Sequence, residues 1–382
     1  MQAISPYKEV VDIIREAGGN KLDLCYQCGL CTGSCPWNLV RSFLVRRLIR
    51  QAQLGVVDFE SEDIWLCTSC RSCVQRCPRG VEIIDIMKAI RGVVAEIGAA
   101  KVPDSLRLTT KNIASLGNPL GQAPERRADW VGNLKVKAYT DGVGLLYFSC
   151  CIPAYDPKIK RIAQATANIL IRSGVDFGIL GTKESCCGES IRKAGNEALF
   201  QSLAQRNIET FAKAGVKQIL VNSPHCYHTF KNEYPDLGAD FKVIHIVQYL
   251  VQLISDGRLK FTKEVKKRVA YHDPCYLGRH NGIYDEPREV LRSIPGLELV
   301  EMSDFRENAL CCGGGGGRIW METKKGERFS DLRIQQALEV GADTLAVSCP
   351  YCMLNFEDSL LTLDKVGAIE IKDVVELVQE GL

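Results

Sequence analysis

Two runs of cysteine constrain this chain more than any other feature. Cys25, Cys28, Cys31 and Cys35 are spaced C-x2-C-x2-C-x3-C and closed by Pro36, and Cys67, Cys70, Cys73 and Cys77 repeat that spacing and are closed by Pro78. They belong to a total of 18 cysteines in 382 residues. In an exported chain so many thiols would read as disulfides, but the amino terminus, MQAISPYKEVVDII, has no signal-peptide core, so the reading turns to metal. With 48 Lys+Arg against 46 Asp+Glu, the formal charge of +2 lacks the footprint of a dedicated nucleic-acid binder. No uninterrupted apolar run approaches the roughly 18 residues that a membrane span requires.

Thiolates two residues apart let one tight backbone loop cap three irons of a cube, and the fourth ligand comes from elsewhere. The run with its terminal proline is the signature of bacterial [4Fe–4S] ferredoxins, in which the fourth cysteine crosses over to the other cluster. Cys25, Cys28, Cys31 and Cys77 are therefore assigned to one cubane cluster, and Cys67, Cys70, Cys73 and Cys35 to the other. Zinc also takes four-cysteine sites built from C-x2-C pairs. Zinc fingers lack the third cysteine at the same step and the closing Cys-Pro, and here both features occur twice.

The other ten cysteines fall in an internal repeat. The first copy reads LLYFSCC at 145–151, CCG at 186–188 and NSPHC at 222–226; the second reads VAYHDPC at 269–275, CCG at 311–313 and SCPYC at 348–352. The offset is 124 residues from Cys151 to Cys275, 125 from Cys187 to Cys312 and 126 from Cys226 to Cys352, a register that indicates duplication. Adjacent cysteines such as Cys311-Cys312 suit a cluster in which thiolates bridge irons as well as terminate them.

Ser5 before Pro6 reads as a helix start, with Tyr7, Val10, Val11 and Ile14 at helical spacing until Gly18-Gly19. Between the motifs, Val40, Leu44 and Leu48 are expected on one helical face, with Ser42, Arg46 and Arg50 opposite. In the repeats, strands are expected at Leu145–Phe148, Gln218–Val221, Arg268–Tyr271 and Thr344–Val347. Helices are expected at Ile159–Arg172, Glu197–Ala214 and Ser330–Val340. Alternating strands and helices predict parallel α/β layers, whose sites gather at the carboxyl ends of strands. Cys151, Cys226, Cys275, Cys349 and Cys352 each follow such a strand. The division expected is an α-helical ferredoxin domain at 1–100, a connector at 101–143, and tandem α/β domains at 144–257 and 258–382.

Smaller signals each carry a bland reading beside a functional one. The glycine run Gly313–Gly317 does not make a phosphate loop, because Arg318 stands where G-x-G-x-x-G needs glycine and no GK[ST] follows. Its glycines instead suit close approach of backbone N–H groups to cluster sulfurs. Arg41, Arg46, Arg47 and Arg50 read as a solvated face or as a dock for an acidic redox partner. His225, His228 and His272, each within three residues of a ligand cysteine, read as ordinary hydrogen-bonding groups or as proton donors in thiol chemistry.

Two ferredoxin motifs followed by two CCG domains resemble the D-type subunit of heterodisulfide reductase, a fusion of that reductase's C-type and B-type subunits. The most specific stretches are HDPCYLGRHNGIYDEPREVL at 272–291, CCGGGGGRIWMET at 311–323 and CPYC at 349–352. Relatives of this family include electron-transfer subunits of sulfite-reductase-linked complexes and of class II benzoyl-CoA reductase. The resemblance implies that a complete CCG domain holds a noncubane [4Fe–4S] cluster on five cysteines. Here those are Cys275, Cys311, Cys312, Cys349 and Cys352, with Cys275, Cys311 and Cys312 at the centre of any catalysis. In the first copy Cys151, Cys186, Cys187 and Cys226 match, but Ser223 replaces the first cysteine of the terminal pair, and Cys150 is an extra thiol. Whether a further cluster forms there is left open.

The function expected from these motifs is an iron–sulfur subunit relaying electrons from a partner redox protein through two cubane clusters to the second CCG domain. A catalytic thiol or heterodisulfide reductase acting at that domain is the alternative. The partners expected are flavoprotein, ferredoxin or cytochrome subunits, with no nucleic acid. The location expected is cytoplasmic, with any membrane attachment made through a partner.

Overall fold

The computed structural model describes residues 7–98 and 100–382, and the described chain forms two compact units. The first holds the residues up to Leu108 together with Ser190–Phe200 and Gly313–Phe329; the second holds Thr109–Glu189, Gln201–Cys312 and Ser330–Leu382. The two short segments of the first unit each begin within a few residues of a CC pair.

In the first unit, the expected opening helix runs over Lys8–Ile14 and loosens into a wider π turn at Arg15–Gly19, where Gly18 takes a φ of 105°. Ser5 and Pro6 lie outside the described residues. The helix between the motifs begins at Val45 and ends at Leu54. Its buried face is Val45, Leu48, Ile49 and Ala52; of the expected face only Leu48 belongs to it, since Val40 ends the preceding 3-10 turn and the exposed Leu44 precedes the helix. Arg46 and Arg50 point to solvent as expected. The longer helix Ile83–Ile97 supplies Ile86, Met87 and Ile90 to the core, and Gly98 closes it in the left-handed conformation.

Arg91 on that helix ties three chain segments of the unit. Its Nε donates to Ile64 O, Nη2 to Cys67 O, and Nη1 to both Lys193 O and Gly316 O, each at 2.9 Å. Arg91 is 2% exposed, and its guanidinium lies over the Trp65 ring. Two glycines allow this convergence: a Cβ at Gly195 would collide with Arg91 and Gly92 backbone, and one at Gly316 would collide with the Cys67 carbonyl oxygen. Both take positive φ, 91° and 64°, where glycine carries no side-chain penalty.

The second unit contains two parallel sheets. The first has strands β1 (Lys137–Ala138), β2 (Leu145–Phe148), β3 (Phe177–Ile179), β4 (Gln218–Val221) and β5 (Lys242–His245) in the order β1-β3-β2-β4-β5. The second has β6 (Arg268–Tyr271), β7 (Glu298–Val300), β8 (Thr344–Val347) and β9 (Glu370–Asp373) in the order β7-β6-β8-β9. Apart from β1 the two orders are the same, so the duplication seen in the cysteine register is also a duplication of topology. The four expected strands are β2, β4, β6 and β8, a neighbouring pair of interior strands in each sheet, and their apolar runs are buried on both faces. The expected helices form at Lys160–Arg172, Glu197–Lys213 and Phe329–Glu339.

The segment 101–143 has more structure than its composition suggests. It carries a helix over Asp104–Leu116, a 3-10 run over Pro124–Val131, and edge strand β1, with Leu106, Thr109 and Ile113 buried at helical spacing. Among the described residues no helix is long and apolar enough to cross a membrane.

Candidate metal centres

The two ferredoxin motifs fold into loops of the same shape. Left-handed residues stand two and four places after the leading cysteine in both: Gln27 and Gly29 after Cys25, Ser69 and Arg71 after Cys67. This curls the chain so that thiols two residues apart face one centre. Donors from the loops already point at sulfur, with Ser69 N on Cys67 Sγ, Val81 N on Cys77 Sγ and the Gln27 side-chain amide on Cys25 Sγ, all at 3.4 Å. Such N–H···S bonds stabilise thiolate and are a lever on cluster potential.

Cys35, Cys67, Cys70 and Cys73 line one cavity with Pro36. Burial pushes the Cys73 thiol well up, and Cys67, Cys70 and Cys35 add to that push in turn. On the other side, Cys31 is raised by burial and then by Cys25 and Cys28, while Tyr26 lies within electrostatic reach of Cys28 and Cys77. The cavity thus groups Cys35 of the first motif with three cysteines of the second, and Tyr26 has Cys77 of the second motif within reach beside Cys28 of the first. Thiolates gathered this closely repel one another unless cations lie between them, and thiolate donors suit iron–sulfur clusters.

In the second unit the thiols follow the sheet order. Cys150 and Cys151 come directly after β2, Cys186 and Cys187 after β3, and Cys226 after β4. Likewise Cys275 follows β6, Cys311 and Cys312 follow β7, and Cys349 and Cys352 follow β8. Connections from the central strands leave to opposite sides, which opens a crevice at their carboxyl ends. Each thiol set falls there.

At the second set, Cys275 hydrogen-bonds with Cys311, Cys352 with both Cys312 and Cys349, and all five thiols are buried. The Cys352 and Cys275 thiols are raised well above their ordinary range, Cys352 first by burial and Cys275 first by its bond with Cys311. Burial acts on Cys349 in the same direction, but the bonds it makes with Cys352 and His225 bring it down to about 5. His272 adds a fully buried imidazole whose donor atom lies with the Cys312 and Cys352 sulfurs, all three within 4.8 Å of one another. Its Nδ1 accepts from Arg333 Nε at 3.2 Å, which leaves the ring proton on Nε2; burial, then Arg333, holds the ring neutral.

At the first set, Cys151 hydrogen-bonds with Cys186, Cys187 with Cys226, and Cys226 with Cys150. Cys187 is drawn down to about 6 by its bonds with Cys186 and Cys226. Arg127, from the 3-10 run of segment 101–143, donates from Nη1 to Cys151 Sγ at 3.5 Å and pairs with Glu184 at 3.1 Å, both side chains fully buried. Between the two sets stands His225. Its ring stacks on Tyr276, packs against Tyr351, meets Glu189 at 3.1 Å and bonds with Cys349. Burial opposes its charge, yet Glu189 and Cys349 raise it to about 10. His225 thus joins an element of the first copy to a thiol of the second.

Of the seventeen cysteines expected as ligands, Cys35, Cys67, Cys70 and Cys73 share one cavity, Cys151, Cys186, Cys187 and Cys226 share another, and Cys275, Cys311, Cys312, Cys349 and Cys352 are all buried and hydrogen-bond among themselves. Arg91, Arg127 and Glu189 carry no local signal in the sequence, whereas Cys150 is visible there as an extra thiol adjoining a ligand. Within the glycine run, Gly316 lies against the backbone carbonyl of Cys67 and not against its sulfur. Of the four arginines, Arg41 is half-buried against Glu327 and Arg47 faces Asp63, while Arg46 is exposed.

The chain matches the family described as "Cysteine-rich domain" over residues 145–231 and 269–357, and the "4Fe-4S dicluster domain" over 21–81. It is 37% identical to the "Probable iron-sulfur-binding oxidoreductase FadF" of Bacillus subtilis and 36% identical to the "EtfAB:quinone oxidoreductase" of Syntrophomonas wolfei, over 84% of this chain in each case. It spans only 47% of the length of either relative. With the D-type subunit of the "Dihydromethanophenazine:CoB--CoM heterodisulfide reductase" of Methanosarcina barkeri it shares 31% identity, over 95% of this chain and 94% of that one. An α-helical ferredoxin domain, tandem α/β cysteine-rich domains and end-to-end similarity together establish that the chain belongs to the D-type heterodisulfide reductase family of iron–sulfur oxidoreductases.

Proposed function

We propose that this chain is the electron-relaying component of a larger reductase, taking electrons from a redox partner into its ferredoxin unit and delivering them to the second cysteine-rich domain. The observation that carries this reading is the grouping of Cys35 with Cys67, Cys70 and Cys73 around one cavity, on the same chain as the five buried thiols beyond β6, β7 and β8. In this reading Cys25, Cys28, Cys31 and Cys77 hold one cubane cluster, Cys67, Cys70, Cys73 and Cys35 the other, and Cys275, Cys311, Cys312, Cys349 and Cys352 a noncubane one. Such clusters accept and release single electrons at potentials tuned by charge, hydrogen bonding and solvent access. The chain's own part is to keep these sulfurs dry, to direct N–H groups at them, and to fix their spacing through buried arginines.

The name of the Syntrophomonas wolfei relative pairs EtfAB with quinone. An EtfAB-type flavoprotein is therefore the first donor to test, with the exposed arginines around Arg46 as its docking face. The domain boundaries 1–100, 144–257 and 258–382, cytoplasmic placement and membrane attachment through a partner all belong to the same proposal. Anaerobic mixing with a reduced flavoprotein donor should bleach the absorption near 400 nm, and Cys312→Ala should remove about four irons while leaving both ferredoxin signals. Loss of the ferredoxin signals in that variant, or no bleaching by flavoprotein, ferredoxin or cytochrome donors, would count against the relay.

The intact second thiol set also favours a second reading, a thiol or disulfide reductase acting at Cys275, Cys311 and Cys312, in keeping with the name of the Methanosarcina barkeri relative. Such a site takes two electrons and two protons to convert one disulfide to two thiols. A response of the oxidised second-site signal to added thiols, together with disulfide turnover by the isolated chain, would select it.

A further inference from the structure

Cys150 has a backbone conformation that cysteine does not choose. Its φ of 66° and ψ of 166° fall in a region occupied almost only by glycine. The repeat does not demand this: the equivalent position before Cys275 is Pro274, whose ring fixes φ near about −65°. The first copy therefore departs from the second at this residue, and it does so with a thiol. That thiol is buried, hydrogen-bonds with Cys226, and lines one cavity with Cys151, Cys186, Cys187 and Ser223.

Ser223 stands where the second copy has Cys349, and its hydroxyl is a poor partner for the soft metals that thiolates select. The thiol count around the cavity is nevertheless five, the same as in the second copy. A further sign of a bound anionic group is Arg127. Its Nη1 faces Cys151 Sγ, and its buried Nη2 has no hydrogen-bond partner among the described residues. A cluster held by several thiolates would give this guanidinium a second anionic neighbour beside Glu184.

The geometry points to a complete first centre: Cys150 replaces the ligand lost at Ser223, and Cys150, Cys151, Cys186, Cys187 and Cys226 together hold an iron–sulfur cluster. Its thiol reaches the cavity from the turn after β2 instead of from the turn after β4. The positive-φ turn at Cys150 is the device that brings it there, and Arg127 is a positioning and charge-balancing residue.

The test is iron content and spectroscopy of anaerobically prepared whole chain. Wild type should carry about 16 irons, four per cluster, and Cys150→Gly about 12, with loss of one cluster signature. Glycine suits the backbone at this position, so the variant should fold as well as wild type by circular dichroism. Adding Ser223→Cys to Cys150→Gly restores the terminal cysteine pair and should return the iron to about 16. Because the assignment builds on the iron–sulfur reading of the chain, the outcomes separate. A wild type with about 12 irons, or a Cys150→Gly variant with wild-type iron and spectra, overturns the first centre alone. An iron-free wild type overturns both.

Discussion

Arg91→Met removes a hub whose worth can be worked from its bonds. Four backbone carbonyls, those of Ile64, Cys67, Lys193 and Gly316, each accept from one guanidinium at 2.9 Å. Leaving a buried acceptor unsatisfied costs about 1–3 kcal/mol, so four give at least about 4 kcal/mol, even allowing for relief of the desolvation of Arg91 itself. Methionine matches the length of the aliphatic stem, which keeps the packing loss small. Two of the four carbonyls anchor the segments Ser190–Phe200 and Gly313–Phe329, so those segments should open together. About 4 kcal/mol corresponds to roughly a thousandfold rise in local opening, readable by amide hydrogen exchange. Arg91→Lys keeps the charge but condenses the fork to one nitrogen, and should fall between. If both segments in Arg91→Met keep their protection within about tenfold, the hub has been misjudged.

Three further outcomes follow from the same geometry. Gly316→Ala forces a Cβ onto the Cys67 carbonyl oxygen and should change the line shape of the ferredoxin signal assigned to Cys67, Cys70, Cys73 and Cys35, leaving the other cubane signal unaltered; two unchanged signals would refute it. Asp273→Ala removes one of the two carboxylates that pair with Arg288, the one bonded at 2.6 and 2.9 Å in a buried pair, and should cost about 3 kcal/mol, the low end for a broken buried pair, because Glu301 remains. A thermal midpoint equal to wild type would show that this aspartate of the HDPC box does not brace the fold. His245 is held down to about 4 by burial, despite its bond to Asn222 O. The unfolded chain, titrating near about 6.5, takes up the proton first, so this contribution is present above about pH 6.5 and shrinks as pH falls toward about 4. His245→Asn should remove about 2 kcal/mol of the loss in unfolding free energy between about pH 7 and 5, and an unchanged pH slope would contradict the assignment.

The cysteine motifs made the chemistry legible because metal ligation is a local constraint: spacing decides which thiols one loop can present. The central strands were equally visible, since β2, β4, β6 and β8 are apolar on both faces. The other strands were not, and interior β3 is only the three residues Phe177–Ile179. β7 and β9, with Glu298, Glu370, Lys372 and Asp373, read as polar loop until a neighbour supplies their hydrogen bonds. Helix Asp104–Leu116 escaped notice because Asp104, Arg107, Lys111 and Asn112 dilute its buried stripe. Arg91 and Arg127 look like ordinary charged residues in sequence. Their roles come from carbonyls and thiols brought in from up to 225 positions away, a relation no local pattern records. At Cys150 the residue type was visible but its turn was not, because its second-copy counterpart, Pro274, gives no hint of a positive-φ backbone.

Iron and acid-labile sulfide per chain, measured on anaerobically prepared protein alongside absorption near 400 nm, test the account most directly. Two cubane clusters and two cysteine-rich-domain clusters predict about 16 of each in a brown protein that bleaches on reduction, and no fewer than about 12 if the first centre stands empty. A colourless, iron-free chain that still supports its partner's full rate would contradict it.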